Sequence, residues 1–178
     1  MQGARFGVLE EVPFDPAVHD RPGFDCGVAA LNDYLHRFAE QHRRQGVSSV
    51  YVLVDSTARS AILGYYTLSA AEVDVFRLAE PDRKKLPRYP LPCFRMGRLA
   101  CRSDRQGHGL GKLLLGSAVD RCLKARTQVA AYALIVDAKD EAAKAFYEHH
   151  GFRSLADRDL TLYLPLGQIG RASCRERV

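Results

Sequence analysis

Blocks of hydrophobic and polar residues along the chain predict a sheet interleaved with helices. Strands are expected at Phe6–Glu11, Val47–Val54, Ile62–Val75, Phe94–Arg102, Val129–Val136 and Arg158–Leu166. Apolar residues recur at helical spacing after Asp25, after Gly109 and after Asp137. This order predicts a mixed α/β sandwich: a central sheet of about six or seven strands with helices on both faces.

The first helix is predicted to take Asp25 as its N-cap and to end at Gly46. Its apolar face is formed by four residues at helical spacing: Val28, Leu31, Leu35 and Phe38. The last helix is predicted to stop at Gly151. The segment Glu80–Pro92 is expected to be a polar loop, because it is too rich in proline for a long helix.

The composition is that of an ordinary globular domain, with 47% hydrophobic and 26% charged residues. A chain of 178 residues is long enough for one core and short for two, so we expect one domain over residues 1–168. The segment Ile169–Val178 resembles the translation of a sequencing-library adapter joined to the gene, and it is left out of the predicted fold. Without its three arginines and one glutamate the formal net charge falls from +5 to +3, so any case for nucleic-acid binding has to rest on local clusters.

The cysteines are scattered, odd in number and never spaced C-x-x-C: Cys26, Cys93, Cys101, Cys122 and Cys174. This pattern argues against a disulfide framework or a zinc site, and no metal is expected. No apolar run reaches the length of a membrane span, and the N-terminus lacks the features of a signal peptide. We therefore expect a cytoplasmic protein with no membrane partner.

A glycine-rich segment, Arg105–Lys112, lies between a predicted strand and a predicted helix. Such a segment exposes backbone N–H groups at a helix N-terminus, where the unpaired amides and the helix dipole favour a phosphate or pyrophosphate. A Walker A loop does not fit, because Gln106 replaces its first glycine and Leu113 its hydroxyl residue. A dinucleotide fingerprint also fails, since Lys112 stands at its third glycine. A glycine-rich turn without a ligand stays open on this pattern alone.

Two segments together resemble the GNAT superfamily of N-acetyltransferases. Gln106, Gly109 and Gly111 match the Q-x-x-G-x-G pyrophosphate loop of that family. The segment Asp140–Phe152 is similar to the family's last helix, Asn-x-x-Ala-x-x-x-Tyr-x-x-x-Gly-Phe, at every position except Asp140, where most members carry Asn. The resemblance covers roughly Phe24–Leu166 and implies the single-domain α/β GNAT fold, whose central sheet is mixed and mostly antiparallel. It also implies acetyl-CoA as cosubstrate.

Carried over by position, the resemblance implies which residues hold acetyl-CoA. The glycine loop would bind its pyrophosphate, and the backbone of the preceding strand would pair with its pantetheine arm through Leu99 and Cys101. The loop residues concerned are Gln106, Gly107, His108, Gly109, Leu110, Gly111 and Lys112. Cys101 is expected to be a strand residue rather than a nucleophile, because the family transfers acetyl directly and no His or Asp follows in an activating pattern.

Tyr147 is the candidate general acid, at the position of the family's catalytic tyrosine. A tyrosine, with an ordinary pKa near ~10, keeps its proton at neutral pH and can give it to the departing thiolate. The alternative is a core tyrosine that packs beside Phe146. No general base is evident, which favours an α-amine acceptor, because an α-amine titrates near ~8 and a lysine near ~10.4.

A narrower resemblance is to the GNAT toxins of bacterial type II toxin–antitoxin systems, carried by Phe24-x-Cys26-Gly27, Gly64–Ser69, Leu86–Pro90, Arg98–Ala100 and Leu164–Leu166. It implies acetylation of the α-amine of aminoacyl-tRNA, a block of translation, a homodimer and a ribbon-helix-helix antitoxin. Local basic clusters are compatible with a phosphate backbone. Three such clusters occur: Arg37, Arg43 and Arg44; Arg83, Lys84, Lys85 and Arg88; and Arg95 with Arg98. The candidate tRNA-binding residues among them are Arg43, Arg44, Arg83, Lys84, Lys85, Arg88, Arg95 and Arg98.

Two other functions remain open. One is an ordinary N-acetyltransferase that acts on a small amine or a protein N-terminus through the same Tyr147. The other is a degenerate family member that serves only as a binding or regulatory module, against which the intact Gln106, Gly109, Gly111 and Tyr147 argue.

Deleting Ile169–Val178 should leave folding and activity unchanged, because the predicted domain ends before it. The measurement is the melting temperature of the truncated and full-length chains. A lower melting temperature for the truncated chain would show that the segment belongs to the native protein.

Overall fold

The computed structural model describes residues 7–169. Seven strands form one mixed sheet in the order β1-β2-β3-β4-β5-β7-β6. Their bounds are β1 Leu9–Pro13, β2 Ser49–Asp55, β3 Gly64–Val73, β4 Leu91–Cys101, β5 Ala133–Asp137, β6 Arg153–Ser154 and β7 Thr161–Pro165. β4 and β5 are parallel, while β1–β2, β2–β3, β5–β7 and β6–β7 are antiparallel pairs. The predicted α/β fold with a mixed sheet is confirmed.

Helices flank the sheet. They are α1 Ala29–Asp33, α2 Ala39–Arg44, α3 Glu80–Arg83, α4 Leu110–Ala125 and α5 Glu141–His149. A π-helical turn, Tyr34–Phe38, joins α1 to α2, and short 3₁₀ turns occupy Val75–Arg77 and Ser103–Arg105. In the described part of the chain no helix combines the length and apolar character needed to cross a bilayer.

Several predicted boundaries were wrong. Asp25 is not the N-cap of the first helix, which begins after Val28 without a side-chain cap. Asp25 instead closes a local turn, accepting a hydrogen bond from the backbone N–H of Gly27 at 2.8 Å. The segment Glu80–Pro92, predicted to be a loop, contains one helical turn, α3. Pro81 lies in this first turn, where a backbone N–H has no helical acceptor and its absence is tolerated. The two-residue strand β6 was not predicted. The tail beyond Ile169 lies outside the described residues.

Two compact units divide the described residues. The first comprises residues 7–68 and 98–118, and the second comprises residues 69–97 and 119–169. The first unit is built on the β1–β2–β3 meander, whose inner face meets the π-helical turn and α2 in one apolar cluster. That cluster includes Phe14, Phe24, Leu35, Val52 and Tyr65, all at most 2% exposed.

The second unit packs its own cluster around β5 and β7. Both strands are buried along nearly their whole length, as expected of strands covered on both faces. Ala133, Ile135 and Tyr163 lie at its centre. The predicted burial of β5 is confirmed, although the strand begins four residues later than the apolar pattern indicated, at Ala133.

A buried polar network joins α3 to β6 and β7 in the second unit. The carboxylate of Asp82, a residue only 9% exposed, accepts hydrogen bonds from the hydroxyl of Tyr163 and from Arg153 Nη1. The Tyr163 oxygen also accepts a hydrogen bond from the backbone N–H of Ala79 at 3.0 Å. Burial, and then the nearby carboxylate, raise the pKa of Tyr163 to about 12.

Replacing Asp82 by Ala should destabilise the chain by about 2 kcal/mol, because it leaves the Tyr163 hydroxyl and Arg153 Nη1 without their acceptor. Urea unfolding measures the change. The matched control is Asp157→Ala, which removes a more exposed carboxylate from its ion pair with Arg77 and should change stability little. Equal losses for the two variants would contradict the structural role of the buried network.

Candidate functional site

The glycine loop lies at the N-terminus of α4, as predicted. The carbonyl of Gly109 accepts the first helical hydrogen bond, from the backbone N–H of Leu113 at 3.1 Å. The helix therefore presents the N–H groups of Leu110, Gly111 and Lys112 in its first turn, which have no acceptor within a helix. Leu110, Leu114 and Ala118 are at most 5% exposed and form the buried face that holds the helix in the first unit.

Two glycines of the loop have backbone conformations that favour glycine. Gly107 has a φ of 85° and Gly109 a φ of 76°. A Cβ built on either residue would meet no heavy atom within 4 Å, so the space beside the loop is open. Open space next to exposed backbone amides at a helix N-terminus fits a phosphate or pyrophosphate group.

The loop is held in place by a turn at Asp25–Gly27. Gln106 Nε2 donates to the carbonyl of Cys26 at 3.2 Å, and Ser103 donates through both its N–H and its hydroxyl to the carbonyl of Asp25. Asn32 completes the turn, since its side-chain oxygen accepts from the N–H of Cys26 at 2.9 Å. The amide group of Gln106 is thus used to position the loop. The sequence motif identified Gln106 but gave no sign of its partner.

A close approach at Gly64 fixes α4 and the end of β4 in the first unit. A Cβ on Gly64 would stand 2.6 Å from Leu114 Cδ1 and 2.9 Å from the carbonyl oxygen of Ala100. The N–H of Arg102 also donates to the carbonyl of Leu63 at 2.9 Å. The strand and helix on either side of the loop can therefore pack closely only because residue 64 has no side chain.

Leu99 and Cys101, expected to present their backbone to the cofactor, lie in β4 and are both half-buried. Burial, with a smaller contribution from neighbouring Cys26, raises the pKa of Cys101 to about 11. Its thiol is therefore protonated at neutral pH, which disfavours a nucleophilic role.

Tyr147 lies in α5, in the second unit, and is 6% exposed. Its ring contacts Phe146 and Phe152, with centroid distances of 5.3 Å and 5.4 Å. Asp140 is the N-cap of this helix and accepts a hydrogen bond from the N–H of Ala143 at 2.8 Å. Hydrogen bonds from Lys139 and then from this N–H lower the pKa of Asp140. Although the family motif has Asn at this position, the aspartate also supplies a side-chain oxygen that caps the helix.

The candidate tRNA-binding residues differ in their exposure and in the groups that they contact. The Arg98 guanidinium stacks 3.6 Å above the Tyr34 ring, in a cation–π contact. Arg95 Nη1 is 3.3 Å from the carboxylate of Asp137, and its Nε is buried without a hydrogen-bond partner among residues 7–169.

Of the remaining candidates, Arg43 is paired with Glu40 and Lys84 with Glu80. Arg83 is half-buried, and the other three are exposed: Arg44, Lys85 and Arg88. Within residues 7–169, no group of three or more His, Cys, Asp or Glu side chains is arranged to hold a metal ion.

Comparison with known proteins agrees with this geometry. Residues 48–154 match the model of the acetyltransferase (GNAT) domain family. The chain is 34% identical over 134 residues to a tRNA-acetylating toxin of Mycobacterium tuberculosis, covering 75% of this chain and 78% of that protein.

Two solved structures of the protein AtaT are similar over nearly the whole chain. AtaT complexed with acetyl-methionyl-tRNAfMet has a TM-score of 0.86 and 30% identity, covering 93% of this chain and 99% of that one. A Tyr-to-Phe variant of AtaT, bound to the C-terminus of the antitoxin AtaR and to acetyl-CoA, has a TM-score of 0.78 and 28% identity, covering 90% of this chain and 95% of that one.

Proposed function

The chain belongs to the GNAT acetyltransferases, and we propose that it is a toxin that acetylates the α-amine of aminoacyl-tRNA and so blocks translation. The observation that carries the proposal is the likeness, over 93% of the chain, to a protein complexed with acetylated aminoacyl-tRNA. The curated relative that acetylates tRNA supports the same substrate class. The protein would act in the cytoplasm, where charged tRNA is found.

Acetyl-CoA is the cosubstrate in this proposal and supplies the acetyl group as a thioester. The residues that fit its pyrophosphate are Gly107, Gly109 and the first-turn amides of α4, because a Cβ built on either glycine would meet no heavy atom within 4 Å. Similar AtaT structures hold acetyl-CoA. The remaining loop residues, His108 and Lys112, are exposed beside this opening. The backbone of Leu99 and Cys101 in β4 would hold the pantetheine arm.

Tyr147 is proposed to protonate the departing thiolate. Its position in the family motif supports this role. An α-amine near its ordinary pKa of ~8 is partly neutral at physiological pH, so the reaction needs no strong base to prepare the acceptor.

The proposal also includes a homodimer and a ribbon-helix-helix antitoxin. AtaT bound to part of AtaR supports an antitoxin partner, and light scattering would test the dimer.

Replacing Tyr147 by Phe should leave acetyl-CoA binding intact and slow acetyl transfer by roughly two to four orders of magnitude, as expected when a general acid is lost. The assay measures the transfer of label from acetyl-CoA to total charged tRNA. The control is Tyr132→Phe, which removes the hydroxyl of another tyrosine of the second unit, one that is half-buried.

Label on aminoacyl-tRNA that is lost only in the Tyr147 variant would support both the substrate and the acid. Turnover close to that of the unmodified chain would assign Tyr147 to the core instead. Label on small amines or protein N-termini, with none on tRNA, would favour the ordinary N-acetyltransferase.

Replacing Gly109 by Ala should raise the Kd for acetyl-CoA on the order of tenfold, because the methyl group enters the space where a phosphate would meet the loop amides. The matched control is Gly46→Ala. Gly46 has a φ of 71° and equally open surroundings, so both variants carry the same backbone cost of roughly 1 kcal/mol.

Calorimetric titration with acetyl-CoA and thermal unfolding separate the two effects. We expect similar melting temperatures for the two variants and weaker acetyl-CoA binding only for Gly109→Ala. Unchanged binding in that variant would exclude the glycine loop as the pyrophosphate site.

A further inference from the structure

A row of three polar side chains crosses the sheet of the second unit where β5 ends. Arg95 lies in β4, Asp137 is the last residue of β5, and Thr161 is the first residue of β7. In the register of the strands, Arg95 is opposite Ile135, and Thr161 is opposite Asp137. Because successive side chains of a strand point to alternate faces, Ile135 and Asp137 lie on one face, and their cross-strand partners lie there with them.

The neighbouring residues on this face are apolar or aromatic and fully covered. Ala133, Ile135 and Tyr163 are at most 1% exposed. The side chain of Asp137, in contrast, is 41% exposed, as is that of Arg95. The Asp137 carboxylate therefore lies at the border between the packed part of the face and solvent.

Two side chains hold the Asp137 carboxylate in place. The hydroxyl of Thr161, a residue only 6% exposed, donates to Asp137 Oδ1 at 3.1 Å. Arg95 Nη1 lies 3.3 Å from Asp137 Oδ2. A carboxylate can accept about four hydrogen bonds, so these two contacts leave acceptor positions for a donor that arrives from solution.

The ion pair with Arg95 leaves the carboxylate accessible to an amine. Both side chains of the pair are partly exposed, and such pairs contribute little free energy. The lysines that follow Asp137 in the chain are engaged by other carboxylates. Lys139 is 2.8 Å from Asp140, and Lys144 is 2.6 Å from Asp159. Among residues 7–169, Arg95 is therefore the cation that an incoming amine would meet at Asp137.

The carboxylate also lies where the parallel pairing of β4 with β5 stops. The ladder runs from Cys93–Ala133 to Met96–Val136, and Asp137 follows directly. In α/β proteins, ligands bind at the carboxyl ends of parallel strands. Residues 138–140 then connect β5 to α5, the helix that carries Tyr147. Asp137 thus stands at the end of the sheet from which the helix of the proposed acid begins.

We propose that the Asp137 carboxylate binds the α-amino group of the acceptor and distinguishes it from a hydroxyl. The inference rests on the proposed function, which makes an aminoacyl ester the acceptor. A carboxylate accepts hydrogen bonds from the neutral amine and from the ammonium, and both forms are present near the ordinary α-amine pKa of ~8. A hydroxyl also donates to a carboxylate, but it carries no charge, and charge-assisted hydrogen bonds are the stronger ones.

The test measures binding without acetyl-CoA, using fluorescently labelled tRNA in three forms. These are uncharged tRNA, aminoacyl-tRNA, and the α-hydroxyacyl-tRNA obtained from it by nitrous acid, which keeps the ester and the side chain. The variant Asp137→Asn keeps a side-chain oxygen for Thr161 and removes the charge. The matched control is Asp157→Asn, which removes a carboxylate charge from another arginine pair of the second unit, 3.0 Å from Arg77.

The unmodified chain should bind aminoacyl-tRNA roughly tenfold more tightly than hydroxyacyl-tRNA, as expected for a hydrogen bond to a charged group. Asp137→Asn should lose this preference through weaker binding of the aminoacyl form alone, with the affinities for the other two forms unchanged. Asp157→Asn should keep the preference. Melting temperatures of both variants are measured in parallel and should equal that of the unmodified chain.

Equal binding of the aminoacyl and hydroxyacyl forms by the unmodified chain would overturn the proposal. A preference that survives in Asp137→Asn or disappears in Asp157→Asn would also overturn it, as would an equal loss of affinity for all three forms in Asp137→Asn.

Failure of the proposed function has a different signature, because the unmodified chain then transfers no label from acetyl-CoA to charged tRNA. In that case binding is compared for amino-acid methyl esters and their α-hydroxy analogues. A preference for the amine that is lost only in Asp137→Asn supports the amine site independently of tRNA, and its absence in the unmodified chain overturns the site.

Discussion

The close approach at Gly64 is the constraint on which the first unit depends. The missing side chain lets Leu114 of α4 and the carbonyl of Ala100 in β4 lie where a Cβ would otherwise stand. The loop between β4 and α4 is then tied back by Gln106 and Ser103 to the turn at Asp25–Gly27. These hydrogen bonds hold the loop in the arrangement that presents its backbone amides, and a loop held in this way loses less entropy when it binds a ligand.

Pairing with nearby groups, more than the number of basic residues, decides which cations of this protein are available to bind an anion. Arg43 and Lys84 form ion pairs with glutamates three and four residues before them in the chain, and Arg98 stacks on the Tyr34 ring. Within residues 7–169, no ion pair is made by three arginines that line a cavity beside α2, which are Arg21, Arg37 and Arg44. A formal net charge near zero for a segment therefore says little about the anions it can hold, since local pairing decides which cations are available.

Local patterns of the sequence predicted the mixed sheet, the position of the glycine loop and the helix that carries Tyr147, because each depends on short-range spacing. Features that depend on distant partners were missed. Asp82 and Tyr163 are 81 residues apart, so nothing near either residue shows that they form a buried pair. The π-helical turn was not predicted, because its apolar residues have the spacing of an ordinary helix. Asp25 is a residue type that favours the N-cap position, but its carboxylate accepts a hydrogen bond from the nearby N–H of Gly27 instead. Arg21 was overlooked because it stands alone in a proline-rich loop.

The thiols described above make the protein a convenient subject for chemical labelling. Burial raises the pKa of Cys93 and Cys101 to about 11 and that of Cys122 to about 12, and Cys26 is 4% exposed. Maleimides and haloacetamides react with thiolates, so the folded chain should protect these positions. A cysteine introduced on the exposed side of α2 could then carry a spectroscopic probe while Cys26, Cys93, Cys101 and Cys122 stay unmodified. Slow modification of the native cysteines would then report local opening of the fold.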